Sequence, residues 1–143
     1  MKALLDTNII IHREANKIVS QDIGILYRWL DRGKYTKCIH SATIEEIKKN
    51  PNKETVKLFL VKLDSYETIE IPSPIQDEVK KISESYDRTE NDLIDTSLLN
   101  EVFVGRVDIL ITEDKKIHKK ANALGIQDKV YTIDSFLERT FAE

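Results

Sequence analysis

The sequence has 143 residues, of which 41% are hydrophobic and 33% charged, a balance that predicts a single globular domain over residues 1–143. The formal net charge is −3, which excludes binding to nucleic acid through overall charge, so a polyanion would need local basic patches or bound cations. The single cysteine, Cys38, excludes an internal disulfide. We find no signal peptide and no run of about 20 apolar residues, so we expect a cytoplasmic protein without a membrane span.

The chain opens with a short apolar run that ends in an acid, a hydroxyl and an amide, at Asp6, Thr7 and Asn8. This run predicts a strand buried on both faces, and the apolar residues 9–11 predict a core-packed turn after it. A carboxylate at the carboxyl end of such a strand stands where open α/β sheets place their chemistry. The structural alternative is that one of the three polar residues caps the next helix.

Segments with helical spacing then alternate with short apolar segments that are typical of strands. This alternation implies a mainly parallel sheet covered on both faces, so we predict a three-layer α/β/α fold with four or five strands. The strands that end at Asp6 and Thr112 are the most hydrophobic and should lie centrally. In chain order we predict a helix capped by Asp22 and closed by Gly33, a strand at Thr36–His40, a helix begun by Ser41 or Thr43, a helix through 56–63, a strand at 68–71, helices at 75–86 and 91–104, a strand at 108–112, a helix at 115–124 closed by Gly125, a strand at 130–133 and a helix capped by Asp134.

One acid occupies a position where a charge is unexpected. Asp95 shares a helical face with Leu98 and Val102, three and seven positions later. An ionised carboxylate on an apolar stripe is costly unless something compensates it. We therefore favour a metal or catalytic role for Asp95 over a buried partner from elsewhere. Asp92 lies one turn earlier on the same side and would join it.

Two further acidic positions complete the set. Asp114 follows the second buried strand as Asp6 follows the first, and capping of the next helix is the alternative. Glu45 and Glu46 lie equally far from the apolar centre of their helix, so helical phase does not choose between them. Thr43 and Glu46 also match the capping-box pattern, which would be a purely structural use.

Together these acids predict a metal site. Carboxylates from four separate elements repel one another where they meet, and a divalent cation relieves that repulsion. All-oxygen ligands select hard ions such as Mg²⁺ or Mn²⁺. No glycine-rich phosphate loop and no nucleophile elbow is present to suggest another chemistry.

The sequence resembles the PIN-domain proteins, many of which are small metal-dependent nucleases or bacterial and archaeal toxin ribonucleases. Four stretches carry the resemblance in the family's order, at 4–8 (LLDTN), 41–47 (SATIEEI), 91–95 (NDLID) and 110–114 (LITED). By position the resemblance prefers Glu46 to Glu45. It implies catalytic, metal-binding acids at Asp6, Glu46 and Asp114, while both Asp92 and Asp95 match the third acid. We prefer Asp95 because of its place on the apolar stripe and its distance from the last motif, with Asp92 as an auxiliary metal ligand. Thr7, Asn8 and Thr112 match positions that orient the acids and water in the family.

The resemblance implies a Mg²⁺- or Mn²⁺-dependent endoribonuclease that hydrolyses phosphodiester bonds of single-stranded RNA. The toxin of a toxin–antitoxin pair is one role that it suggests, with an antitoxin protein and a second copy of the chain as partners. A non-catalytic PIN-like binding domain and a different metal-dependent phosphohydrolase are the alternatives. Lys115, Lys116 and Lys119 follow Asp114 and are candidates to hold phosphate, although a solvated helix face explains them equally well.

Overall fold

The structure, a computed structural model, describes residues 1–15, 20–86 and 88–142, with helices and strands alternating along the chain. The strands are short and apolar, and the longer segments between them are amphipathic helices. The elements are β1 (Lys2–Leu5), α1 (Thr7–Ala15), α2 (Gln21–Arg32), β2 (Thr36–His40), α3 (Ser41–Lys48), α4 (Lys53–Lys62), β3 (Glu67–Ile69), α5 (Asp77–Tyr86), α6 (Glu90–Phe103), β4 (Ile109–Ile111), α7 (Lys115–Ala123), β5 (Val130–Tyr131) and α8 (Ile133–Ala142).

The five strands form one parallel sheet in the order β3-β2-β1-β4-β5. β1 is the middle strand, and its Leu4 lies opposite Cys38 of β2 and Leu110 of β4. The prediction that the strands before Asp6 and Thr112 are central is confirmed, since β1 and β4 are neighbours inside the sheet. The carboxyl ends of these two strands therefore open side by side on one edge.

Helices cover both faces of the sheet, as the predicted three-layer α/β/α fold requires. On one face Leu5 and Ile111 pack with α1, α2 and α8, and on the other Leu4 and Leu110 pack with α6 and α7. All four side chains are fully buried, and each contributes about 2 kcal/mol by leaving water. Successive side chains of a strand point to opposite faces of the sheet, so adjacent residues such as Leu4 and Leu5 contact different layers of helices.

Several predicted segments differ in extent from the structure. β5 covers only Val130–Tyr131 of the strand predicted at 130–133, and Ile133 begins α8. Residues 9–11 belong to helix α1 rather than to a turn, because Ile9 and Ile10 pack into the core at helical spacing. β3 ends at Ile69, and Ile71 lies outside the sheet with 78% of its surface exposed. The alternating pattern of residues 68–71 thus predicted a strand correctly and overestimated its length.

Two predicted helix caps are wrong. Ser20, and not Asp22, occupies the cap position of α2, and Asp22 lies in the first turn, where its Oδ1 accepts the Ile23 N–H at 3.0 Å. At α8 the hydroxyl of Thr132 accepts the Ser135 N–H at 3.0 Å, so Asp134 is not the cap. In both cases a hydroxyl residue two positions earlier occupies the cap position, but only Thr132 caps through its side chain, since the Ser20 hydroxyl donates to Asp22 Oδ1.

Among the helices that the structure describes, none has the combination of length and apolar character needed to cross a bilayer.

Candidate functional site

The four acids that the sequence singled out line one small cavity. It has a volume of about 110 Å³, lies beyond the carboxyl ends of β1 and β4, and is called the acid cavity here. Four different elements supply the acids, since two follow central strands and two come from helices α3 and α6. The lining residues are Asp6, Thr7, Asn8, Glu46, Asp95 and Asp114.

Asp6 is the most deeply buried of these acids, with 5% of its surface exposed. Its Oδ2 accepts a hydrogen bond from the Thr112 hydroxyl at 2.6 Å, and its own N–H continues the sheet by donating to Ile111 O at 3.1 Å. Burial raises the pKa of Asp6, and the neighbouring charge of Asp114 adds to this, whereas the bond from Thr112 opposes it. Asp6 is thus a firmly held acceptor, and no lysine, arginine or histidine of the described residues forms an ion pair with it.

Thr112 connects the two strand-end acids. Its hydroxyl donates to Asp6 and accepts the backbone N–H of Asp114 at 3.0 Å. Asp114 in turn caps α7 by accepting the Lys116 N–H at 2.8 Å. Asp114 therefore both caps a helix and lines the acid cavity, so the two readings that the sequence left open are compatible.

Asp95 faces the cavity from α6 and is only half-buried, yet its ionisation is strongly perturbed. Burial first, and then the charges of Asp6 and Asp114, raise the pKa of Asp95 to about 8, while the charge of Lys120 opposes the shift. The Lys120 ammonium is 1% exposed and donates to Thr96 Oγ1 at 3.0 Å. Sequence analysis missed this buried lysine, although it lies on the apolar stripe of α7 as Asp95 does on that of α6.

The structure separates the two adjacent glutamates of α3. Glu46 is half-buried and lines the acid cavity, whereas the Glu45 side chain is 71% exposed and pairs with Lys48 at 3.6 Å. The capping-box alternative for Glu46 is wrong, because His40 occupies the cap position of α3 and its Nδ1 accepts the Ala42 N–H at 3.0 Å.

A contact between two threonine hydroxyls connects α1 and α3 beside the acid cavity. Thr43, which the capping-box pattern had placed at a helix start, is fully buried inside α3. Its hydroxyl lies 2.8 Å from that of Thr7 at the start of α1. This contact joins the helix that carries Glu46 to the turn that follows Asp6. Asn8, one residue further along, is exposed and also lines the cavity.

Asp92 does not line the acid cavity. It forms a capping box with Thr89 at the start of α6, and its Oδ2 accepts the N–H groups of Arg88 at 2.9 Å and Thr89 at 3.1 Å. These backbone bonds, together with Lys116 3.4 Å from Oδ1, lower the pKa of Asp92 to about 2. The structure gives Asp92 a structural use and no contact that supports an auxiliary metal-ligand role.

The three candidate phosphate-binding lysines are exposed on α7. Lys115 and Lys119 are solvent-facing, and Lys116 is the residue that pairs with Asp92. Lys120, the i+4 neighbour of Lys116, is buried and so is excluded from contact with a ligand in solution. The helix that Asp114 caps therefore presents lysine side chains to solvent.

The donor set of the acid cavity suits a hard divalent cation, since every lining polar group offers oxygen except the amide nitrogen of Asn8. Across residues 1–15, 20–86 and 88–142, however, no three or more His, Cys, Asp or Glu side chains already converge as a metal-holding group. Burial and the charges of Asp6 and Asp114 raise the pKa of Asp95, so these carboxylates would repel one another when ionised and would be stabilised by counter-charge. A cation would supply it, provided that Asp95 loses its proton and the carboxylates move inward.

Comparisons with known proteins identify the fold. No protein-family model matches the sequence, and no curated protein matches it either. A chain of the crystal structure of VapBC2 from Rickettsia felis, bound to a DNA fragment from their promoter, is similar in structure with a TM-score of 0.60 and 14% identity, over 92% of this chain and 98% of that one.

A chain of FitAcB from Neisseria gonorrhoeae is similar with a TM-score of 0.53 and 13% identity, over 91% of this chain and 96% of that one. At such identities the likeness shows the architecture and no more. The protein has an α/β fold of the PIN-like type, with a five-stranded parallel sheet between two layers of helices.

Proposed function

We propose that this protein is a Mg²⁺- or Mn²⁺-dependent endoribonuclease that hydrolyses phosphodiester bonds of single-stranded RNA. One observation carries the proposal, namely that Asp6, Glu46, Asp95 and Asp114 come from four elements and line one cavity. Carboxylates that meet in one cavity repel one another when they are ionised, so their convergence from four elements indicates a functional demand. The PIN-like fold, in which metal-dependent nucleases are common, agrees with this demand.

In this proposal Asp6, Glu46, Asp95 and Asp114 would hold the metal, which when bound would lower the pKa of a water molecule and neutralise charge developing on phosphate. Thr112 keeps the Asp6 carboxylate in place and fixes the start of the Asp114 turn, so two of the ligands are pre-positioned. Asn8 offers an amide at the mouth of the cavity that can orient a water or a phosphate oxygen. Lys115 and Lys119 would hold the RNA backbone without reading its sequence.

Activity as the toxin of a toxin–antitoxin pair is part of the proposal. It is supported by the resemblance to PIN-domain toxins and by the structural likeness to a chain of VapBC2. An antitoxin protein and a second copy of this chain are the partners that this role implies. Co-purification with the product of a neighbouring gene, followed by recovery of nuclease activity after its removal, would test the role.

The activity is tested by incubating the purified protein with single-stranded RNA, single-stranded DNA and a small phosphate ester, each with Mn²⁺ or with EDTA. We expect Mn²⁺-dependent cleavage inside the RNA and none of the phosphate ester. Glu46→Gln should abolish cleavage, and Glu45→Gln is the matched control because it alters the adjacent exposed glutamate. Hydrolysis of the ester alone would favour a different phosphohydrolase, and inactivity on all substrates would favour a non-catalytic binding domain.

A further inference from the structure

A second and larger cavity opens directly beside the acid cavity. Its volume is about 420 Å³, and it is called the side cavity here. The two cavities share Asp6, Asn8 and Asp114, so a ligand bound at the acids can extend into the side cavity without leaving the surface. On the proposed function, the side cavity lies where a nucleotide flanking the cleaved phosphate would be placed.

The floor of the side cavity is apolar and rigid. Ile9 of α1, Ile23 of α2 and Ile133 of α8 line it, and they are only 3%, 7% and 2% exposed because they belong to the core. Three packed helices thus present a small apolar surface that cannot easily move. Such a surface suits the face of a flat ring better than it suits a charged or flexible chain.

The rim of the side cavity carries hydrogen-bond acceptors that are held in place. Asp22 Oδ1 accepts the Ser20 hydroxyl at 2.7 Å and the Ile23 N–H at 3.0 Å, and Glu113 Oε1 accepts the Ile133 N–H at 2.7 Å. These bonds occupy one oxygen of each carboxylate. The second oxygens, Asp22 Oδ2 and Glu113 Oε2, accept no hydrogen bond from the part of the chain that the structure describes.

We propose that the side cavity binds a nucleobase that bears an exocyclic amino group, on a nucleotide next to the scissile phosphate, a proposal that rests on the proposed function. The isoleucine floor contacts one face of the ring. Asp22 and Glu113 accept hydrogen bonds from the amino group, as carboxylates do from cytosine N4. Uracil has the carbonyl oxygen O4 in place of the cytosine amino group, and the carboxylates repel this oxygen. The cleavage site therefore prefers adenine, cytosine or guanine over uracil at this position.

Binding is tested without catalysis by titrating adenosine, cytidine and uridine, separately, into ¹⁵N-labelled protein in EDTA. Nucleosides lack phosphate, so the readout does not depend on a metal at the acids. We expect amide shifts at Asn8, Ile23 and Ile133 with adenosine or cytidine and weaker shifts with uridine. Equal shifts with uridine overturn the proposal. Shifts with N-acetyl-arginine amide and none with the nucleosides also overturn it, since they assign the side cavity to a protein partner.

Cleavage of a randomised single-stranded RNA tests the consequence for specificity. We expect amino-bearing bases to exceed uracil about three- to tenfold at one flanking position, the effect of one or two hydrogen bonds. Asp22→Asn, which can donate to a carbonyl, should bring that ratio close to one. Asp77→Asn is the matched control, since it removes a first-turn aspartate from α5, away from the side cavity.

Different results overturn the side-cavity proposal and the proposed nuclease function. Cleavage with no base preference overturns the side-cavity proposal and leaves the proposed nuclease function intact. Absence of metal-dependent cleavage overturns the proposed function, and the nucleoside titration then decides the side cavity by itself.

Discussion

Glu101 and the acids of the acid cavity lie at the same edge of the sheet, and their surroundings are opposite in character. Glu101 of α6 is completely buried and fully matched, since it accepts hydrogen bonds from His40 Nε2 at 3.0 Å, Ser73 N–H at 3.1 Å and the Ser73 hydroxyl at 2.5 Å, with Arg106 3.7 Å away. Burial lowers the pKa of His40, although Glu101 opposes this. Neutral His40 therefore bridges Glu101 and the Ala42 N–H.

In the acid cavity, acidic side chains have one another as neighbours. Asp95 has Asp6 and Asp114 as charged neighbours, and its pKa is raised to about 8 rather than lowered. Lys120 offsets the repulsion only in part. Glu101 holds elements together by joining α6 to the segment after β3, whereas acids that face one another, as Asp95 faces Asp6 and Asp114, are retained at a cost to stability. This difference separates a structural carboxylate from the functional candidates.

The largest expected effect is on catalysis. Asp6→Asn should lower metal-dependent RNA cleavage by roughly a hundred- to thousandfold, in line with the several kcal/mol that a bound metal supplies to the transition state. The fold should survive, because burial already disfavours the charge of Asp6. Cleavage rates and circular dichroism of the variant and of Asp64→Asn, an exposed control, measure this. Full activity in folded Asp6→Asn protein would remove the nuclease hypothesis.

The second effect is on stability and concerns the matched acid. Glu101→Ala should lower the free energy of unfolding by about 3 kcal/mol, because it leaves the buried donors of His40 and Ser73 without an acceptor. Urea denaturation measures the loss, with Glu78→Ala on the exposed face of α5 as control. A loss no larger than that of Glu78→Ala would show that Glu101 does not have the stabilising role that distinguishes it from the acids of the acid cavity.

Asp95→Asn should change stability in opposite directions with and without metal. The pKa of Asp95 is raised from 3.8 to about 8 in the folded protein. The unfolded chain therefore releases this proton first, and the stability of the metal-free protein falls as pH rises from about 4 to about 8. Asparagine avoids that loss. In EDTA at pH 8 the variant should be more stable by about 1 kcal/mol, a value reduced because the residue is half-exposed.

With Mn²⁺ the order of these two proteins should reverse, since wild type gains stability from the ion and the variant loses a ligand. Melting temperatures at pH 5 and pH 8, each in EDTA and in Mn²⁺, test both halves. A destabilised variant in EDTA at pH 8, or the same Mn²⁺ shift in both proteins, would contradict the role given to Asp95.

The smallest effect is expected at Asp92. Asp92→Asn weakens the capping box of α6 and should lower the melting temperature less than Glu101→Ala does, with cleavage retained. Because the pKa of Asp92 is lowered to about 2, its stabilising contribution is present at neutral pH and is lost as pH falls from about 4 towards 2. An inactive Asp92→Asn protein would show that Asp92, and not Asp95, is the third metal-binding acid.

Local patterns in the sequence predicted the sheet and three acids of the cavity, and the family resemblance supplied the fourth, Glu46. Asp6 and Asp114 follow strongly apolar strands, and Asp95 interrupts an apolar stripe. The same stripe argument would have found Lys120, which lies with Ile117, Ala121 and Leu124 at helical spacing, and Glu101, which lies between Leu98 and Val102.

Other features depend on contacts between distant residues and left no local pattern. Helical phase did not separate Glu45 from Glu46, because the cavity side of α3 is set by its docking against Thr7. Asp92 was grouped with Asp95, because sharing a helical side does not show that the first residue closes a capping box. The side cavity joins α1, α2 and α8 and became visible only when these helices were placed together.

The central claim, that these carboxylates meet in order to hold a cation, is tested most directly by a crystal grown or soaked with Mn²⁺ and measured at the manganese absorption edge. We predict one or two anomalous peaks within about 2.0–2.4 Å of oxygens from Asp6, Glu46, Asp95 and Asp114, with Asp92 uninvolved. Manganese bound elsewhere on the protein, or an acid cavity without an anomalous peak at saturating Mn²⁺, would contradict the account.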